Sequence, residues 1–156
     1  MFSQDYEELF STLNTCKIKY LVVGAYAVVF YAEPRFTKDL DVWIPAALND
    51  PKRVFEALKA FGAPLRDLRP EDFGDPTMFL QIGVAPVRID ILTNVAGVSA
   101  DDAWKQRSAG RYGKTRINIL SLPDLIKAKQ AVGRPQDRLD LEKLLARAQR
   151  GRRRRR

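Results

Sequence analysis

The chain contains no histidine. That absence excludes Ser-His-Asp hydrolysis, Cys-His proteolysis, histidine-ligated zinc and general-base chemistry by an imidazole. Cysteine is almost as scarce. A single residue, Cys16, allows neither an internal disulfide nor a multi-thiolate metal site, and it suits a reducing compartment. No run approaches the ~18 consecutive apolar residues of a membrane span. The opening MFSQDYEELF carries acids where a secretory signal would carry a basic region, so a cytoplasmic location is expected. Any chemistry must come from carboxylates, Lys, Arg, Tyr or Ser.

What is present suits one domain. The 156 residues are 46% hydrophobic and 29% charged, and residues 1–150 read as a single unit around one core. The net charge of +8 comes from 27 Lys and Arg against 19 Asp and Glu, but five of the positive charges are the run at 152–156; without it, 22 against 19 leaves +3. The body is thus only mildly basic. Residues 151–156 read as a separate basic, disordered tail, either simply solvated or an arm for RNA or an acidic partner.

Periodicity places the elements. Residues 3–14 carry Tyr6, Leu9, Phe10 and Leu13 at helical spacing behind an N-cap at Ser3, a helix that would flank or cover the domain. Tyr20-Leu21-Val22-Val23 reads as a strand stopped by Gly24, with a helix over 25–32. Residues 39–44 alternate acid with apolar residue as a second strand, and a helix over 50–61 closes at Gly62. The segment 63–76, with three prolines, reads as a loop with one helical turn at 71–73 that could border a site. Strands over 78–82 and 87–92 form an antiparallel pair, followed by a helix over 100–107 capped by Ser99 and a last strand over 116–120. Ser121-x-x-Asp124 opens a helix ending at Val132 and Gly133, and Pro135 starts another with Leu139, Leu141, Leu144 and Leu145. The aromatic residues Phe30, Tyr31 and Trp43 fit a core better than a nucleobase or a partner. Strands and helices mixed in this order indicate an α/β (α+β) domain with a mixed sheet.

Three acids stand out. Asp39 and Asp41, two apart on a strand, point to one face, the geometry that clamps a hard divalent cation between repelling carboxylates. Ordinary surface alternation produces the same D-x-D pattern. Asp90 sits between Ile89 and Ile91 on another strand, so its carboxylate is either solvated at a cleft or held by a cation; Arg88 beside it equally fits a polar face that meets water. Were the two strands neighbours, three carboxylates would surround one or two metal ions, enough for in-line transfer at phosphorus. Gly24, between strand and helix, either lets the N–H groups of Ala25 and Tyr26 face a phosphate or merely permits the turn. In an extended chain Arg35 and Thr37 share a face with Asp39 and Asp41, with Arg35 neutralising a triphosphate or pairing with an aspartate.

The run G-A-Y-A-V-V-F-Y-A-E-P-R-F-T-K-D-L-D-V-W-I, followed by R-I-D-I-L, resembles the minimal nucleotidyltransferases of the DNA polymerase β superfamily, most closely the branch of the AbiEii abortive-infection toxins. S-L-P-D-L-I-K-A-K-Q-A-V-G-R-P-Q-D-R-L-D-L-E resembles the end of that branch, and together these stretches span most of residues 20–145. The resemblance implies a mixed β-sheet with flanking helices and a C-terminal helical pair. It also implies a phosphate turn at Gly24 and Ala25, with Asp39, Asp41 and Asp90 as catalytic metal ligands, Asp90 on the acceptor side helping to deprotonate the hydroxyl. Two Mg2+ ions would hold the NTP donor, and an NMP would pass to a hydroxyl of RNA (tRNA) or protein, in a toxin–antitoxin or phage-defence system with a cognate antitoxin. Arg35, Thr37, Lys129 and Arg134 would contact the nucleotide or acceptor, with Asp137 and Asp140 orienting the two helical cations; salt bridging between helices explains these four equally well. One departure is the Gly24-Ala25 turn, where the superfamily commonly has Gly-Ser or Gly-Gly, so a serine hydroxyl is missing while the backbone N–H groups remain. The alternative class is a non-catalytic module of the same fold that binds RNA or an acidic protein.

Overall fold

The computed structural model describes residues 3–32, 39–84 and 87–154. Helix α1 (Gln4–Thr15) starts where Ser3 Oγ accepts the Tyr6 amide, and it buries Tyr6, Leu9, Phe10 and Leu13, the stripe its spacing predicts. Strand β1 (Leu21–Val23) passes directly into α2 (Gly24–Tyr31), and β2 (Asp39–Trp43) follows. Helix α3 (Pro51–Phe61) is capped by Asp50, whose carboxylate accepts the Lys52 amide, and it ends on Gly62 in the left-handed region. A 3-10 turn at Pro70–Gly74 buries Phe73 beside Phe55, with ring centroids 6.2 Å apart. The 63–76 segment is therefore anchored to α3, and none of its residues lines the cleft described below, against the expectation that it borders a site.

Strands β3 (Phe79–Ile82) and β4 (Arg88–Leu92) form the expected antiparallel pair. Helix α4 (Ala100–Gln106) has Ser99 at its N-cap position, but that side chain makes no capping bond. A strand the sequence conceals comes next: β5 (Ser108–Tyr112) pairs antiparallel with β6 (Thr115–Ile119). Helix α5 (Leu122–Val132) opens on the Ser121 cap, and α6 (Pro135–Arg154) closes the described chain. Residues 151–154 continue α6 as its last turn. Arginine is a good helix former, and its charge is favourable at a helix C-terminus.

The six strands form one sheet in the order β3-β4-β2-β1-β6-β5, with β2 parallel to β4, β1 parallel to β6 and the other neighbours antiparallel. Alternation along the strands divides the two faces. Val22, Leu40, Val42, Ile89 and Ile91 share one face and join the buried residues of α1 and α3 in the core. The opposite face carries Val23, Asp39, Asp41, Arg88, Asp90 and Leu92, and α2, α5 and α6 pack on one another beside it. Trp43 is buried at 1% exposure, and Tyr31 Oη bonds the Leu120 carbonyl at 2.7 Å, while Phe30 is 46% exposed. Among the described residues, no helix is long and apolar enough to cross a membrane.

Candidate active site

The parallel pairing of β2 with β4 sets Asp39 opposite Arg88 and Asp41 opposite Asp90. Since neighbouring strands lie ~4.8 Å apart, this register gathers three carboxylates from sequence positions far apart. Asp90 is 6% exposed and held at both oxygens by Arg88: Nε donates to Oδ1 at 3.1 Å and Nη2 to Oδ2 at 3.2 Å. Arg88 Nε also lies 3.8 Å from Asp39 Oδ1. The start of β4 is pinned by Tyr6, whose hydroxyl donates to the Arg88 carbonyl at 3.0 Å. Burial, then the charges of Asp90 and Asp39 and a hydrogen bond with Asp90, push the Asp41 carboxyl up to about 7, against a smaller pull from Lys129.

Gly24 joins this cluster to a helix start. It has φ +66°, and a Cβ there would overlap Asp41 Oδ2, so both the backbone and the close approach of Asp41 require glycine. The N-cap residue of α2, Val23, makes no side-chain capping bond, and Gly24 and Ala25 at the helix start line the cleft together with Asp41.

The helical wall carries a second charged group. Lys129 Nζ lies 3.0 Å from Asp137 Oδ1 and 3.3 Å from Asp140 Oδ2, all three side chains nearly closed to solvent. Arg134 Nε donates to Asp137 Oδ2 at 2.9 Å, and its backbone N–H donates to the same oxygen at 3.2 Å. Burial raises the Asp137 pKa, but the hydrogen bonds from Arg134 and Lys129 outweigh it and hold the carboxyl down at about 2. The sequence left salt bridging and nucleotide contact open for these four residues; the geometry contains the salt bridges, on the wall of the cleft.

Gly24, Ala25, Asp39, Asp41, Asp90, Lys129 and Arg134 all line one cleft of about 740 Å3. Arg35 and Thr37 lie outside the described residues. Sequence reasoning did not include Arg88 among the site residues, although its two-residue spacing from Asp90 on a strand placed both on one face. It also missed the apolar end of the cleft, formed by Phe79, Leu92, Val95, Leu125, Ala128 and Val132, of which Phe79 and Val132 are more than half exposed. Alternation on β3 and the apolar positions of α5 carried that signal, but only the fold shows the two facing one space.

A divalent ion fits the chemistry of the sheet cluster. Its donors are carboxylate oxygens, which hard cations prefer, and burial with the nearby charges of Asp90 and Asp39 raises the Asp41 carboxyl, a penalty that a bound cation would relieve. Among the described residues no three such side chains are arranged as a ready-made metal cage; the Arg88 guanidinium stands among them instead.

Comparison with known proteins agrees with this geometry. The chain belongs to the family described as "Nucleotidyl transferase of unknown function (DUF2204)", whose profile matches residues 2–154. It is thus a nucleotidyltransferase. Its fold is similar to that of a structure from Thermotoga maritima ascribed to a nucleotidyltransferase, with TM-score 0.60 at 16% identity over 94% of this chain and 96% of that one. It is also similar to the lincosamide antibiotic adenylyltransferase LnuA with lincomycin bound, with TM-score 0.58 at 13% identity over 91% and 95% of the two chains. The antibiotic-resistance factor ANT(2'')-Ia gives TM-score 0.57 at 11% identity over 93% and 81%. These structures share the mixed sheet with flanking helices. No curated protein sequence matches.

Proposed function

We propose that the chain transfers an NMP from an NTP to a hydroxyl, with Asp39, Asp41 and Asp90 as the catalytic carboxylates. The observation that carries this reading is the register of Asp41 against Asp90 beside the Gly24 turn, which supports a phosphate site at the start of α2 next to the acids. The N–H groups at the start of α2 hold the triphosphate, Asp39 and Asp41 hold a divalent cation, Mg2+ in the cell, and Asp90 accepts the proton of the acceptor hydroxyl. The ion, when bound, supplies neutralisation of the phosphate charge. The hydroxyl oxygen forms a bond to the α-phosphorus as the bond to the bridging oxygen of the β-phosphate breaks, and pyrophosphate leaves. Lys129 and Arg134 stand on the helical wall already paired with Asp137 and Asp140, and with Arg35 and Thr37 they keep the nucleotide- or acceptor-contact role expected from sequence.

The acceptor in this reading is RNA, tRNA included, or protein. A place in the AbiEii-like branch, a toxin–antitoxin or phage-defence role with a cognate antitoxin, and a cytoplasmic location rest on the sequence resemblance. The apolar end of the cleft favours a second reading, in which the acceptor is a small hydroxyl compound with an apolar body. Solved relatives of this fold include an enzyme that adenylylates a lincosamide antibiotic.

Incubation with each of the four α-labelled NTPs and Mg2+, with total tRNA and with cell lysate, tests the proposal, using Asp39→Ala/Asp41→Ala as control. Label on RNA, protein or a small molecule with the wild type alone is expected and names the acceptor class. No label and no Mg2+-dependent NTP binding would leave the non-catalytic module, whose RNA affinity should lose part of its salt dependence on removal of residues 152–156.

A further inference from the structure

Arg88 has no part in the reaction just described, yet it occupies the centre of the site. Both oxygens of Asp90 are engaged by its guanidinium, at 3.1 and 3.2 Å, and the same group reaches to 3.8 Å from Asp39. A carboxylate offers about four lone-pair directions in all, and the guanidinium takes one on each oxygen of Asp90 before any ion arrives. An ion joining Asp39 to Asp90 would meet the guanidinium at the same oxygens, and the two positive charges would repel at contact distance in a half-buried site. The alternative of moving Arg88 away is costly in its own right. The side chain is one-third exposed, its pairing is the planar two-point kind that arginine forms best, and it springs from the strand that bears Asp90.

Resting on the nucleotidyltransferase reading, we infer that the Arg88 guanidinium takes the place of the acceptor-side divalent ion, so that this site loads one divalent ion on Asp39 and Asp41 instead of two. The positive charge beside Asp90 is then built into the chain. Asp41 approaches the Gly24 turn, and Asp39 lines the same cleft, where a triphosphate would bring further oxygen ligands to an ion. Arg88 lines the same cleft, so it can also face an incoming acceptor oxygen.

The count of bound ions tests this without any turnover. Mn2+ is titrated into the full chain, first alone and then with a mixture of the four α,β-methylene nucleoside triphosphates, and bound Mn2+ is counted by electron paramagnetic resonance. The wild type should saturate at about one ion and show no spin coupling, whereas Arg88→Gln should reach about two, with the broadened spectrum of ions about 4 Å apart. Arg88→Lys, which keeps the charge but cannot bridge both oxygens, should bind the second ion at least about 10-fold more weakly than Arg88→Gln. Circular dichroism establishes that each variant is folded, and the wild-type count stands even if one is not. Two coupled ions in the wild type, or one ion in a folded Arg88→Gln, would overturn the inference and leave the nucleotidyltransferase reading intact. No bound Mn2+ in the wild type, with or without nucleotide, would overturn both.

Discussion

Asp41 on β2 and Asp137 on α6 line the same cleft, yet the Asp41 carboxyl is pushed up to about 7, while that of Asp137 is held down at about 2. Burial acts in the same direction on both. At Asp41 burial is the largest cause and two other carboxylates add to it, whereas at Asp137 the hydrogen bonds from Lys129 and Arg134 outweigh burial. The helical cluster is a charge-paired clamp that ties the end of α5 to α6. The sheet cluster sets three carboxylates side by side, a repulsion that a bound divalent ion would relieve. Burial or clustering of acids alone does not separate an active site from a structural clamp; the balance of cations around each carboxylate does.

The contrast can be broken from either side. The largest effect is expected from Asp39→Ala/Asp41→Ala, which should lower transfer by at least about 10³-fold with the thermal transition retained; equal activity would remove the sheet cluster from the reaction. Lys129→Met should act on stability instead. It leaves buried carboxylates without their cation and should cost about 3–5 kcal/mol in urea unfolding, and a cost below about 1 kcal/mol would mean that the clamp is not structural.

Asp41→Asn sharpens the comparison through pH. The folded chain binds a proton at Asp41 more tightly than the unfolded chain, about 7 against 3.8, so the wild type has the full benefit of that proton below about pH 4 and loses it as the pH rises towards 7. The variant should therefore gain stability over the wild type across that window, by up to a few kcal/mol at pH 8 in the absence of metal, as read by thermal unfolding. A constant difference between pH 4 and 8 would contradict the raised carboxyl. Phe79→Ala, at the apolar end, should have the smallest effect: up to about a 10-fold rise in acceptor KM with donor KM and melting temperature nearly unchanged. A matching rise in donor KM would assign that end to the nucleobase.

Much of this was legible in the chain itself. Alternation around Asp39, Asp41 and Asp90 placed each acid on a strand, and Ser3, Asp50 and Ser121 marked helix starts where they occur. The glycine before α2 signalled the turn, but the reason no other residue fits, the approach of Asp41, is a tertiary contact. Strand β5 was hidden because Ser-Ala-Gly-Arg-Tyr has no β-branched residue and forms an edge, held by β6 through the turn at Gly113. The parallel register that brings Arg88 between Asp39 and Asp90 depends on strand order, which local pattern does not encode.

Whether the sheet cluster is the cation and nucleotide site is read by calorimetric titration of an α,β-methylene nucleoside triphosphate into the wild type and Asp41→Asn, with Mg2+ and then with EDTA. The wild type should bind with Mg2+ and little with EDTA, and Asp41→Asn should lose at least about 10-fold in affinity despite its greater stability. Equal affinity in EDTA, or in the variant, would contradict it.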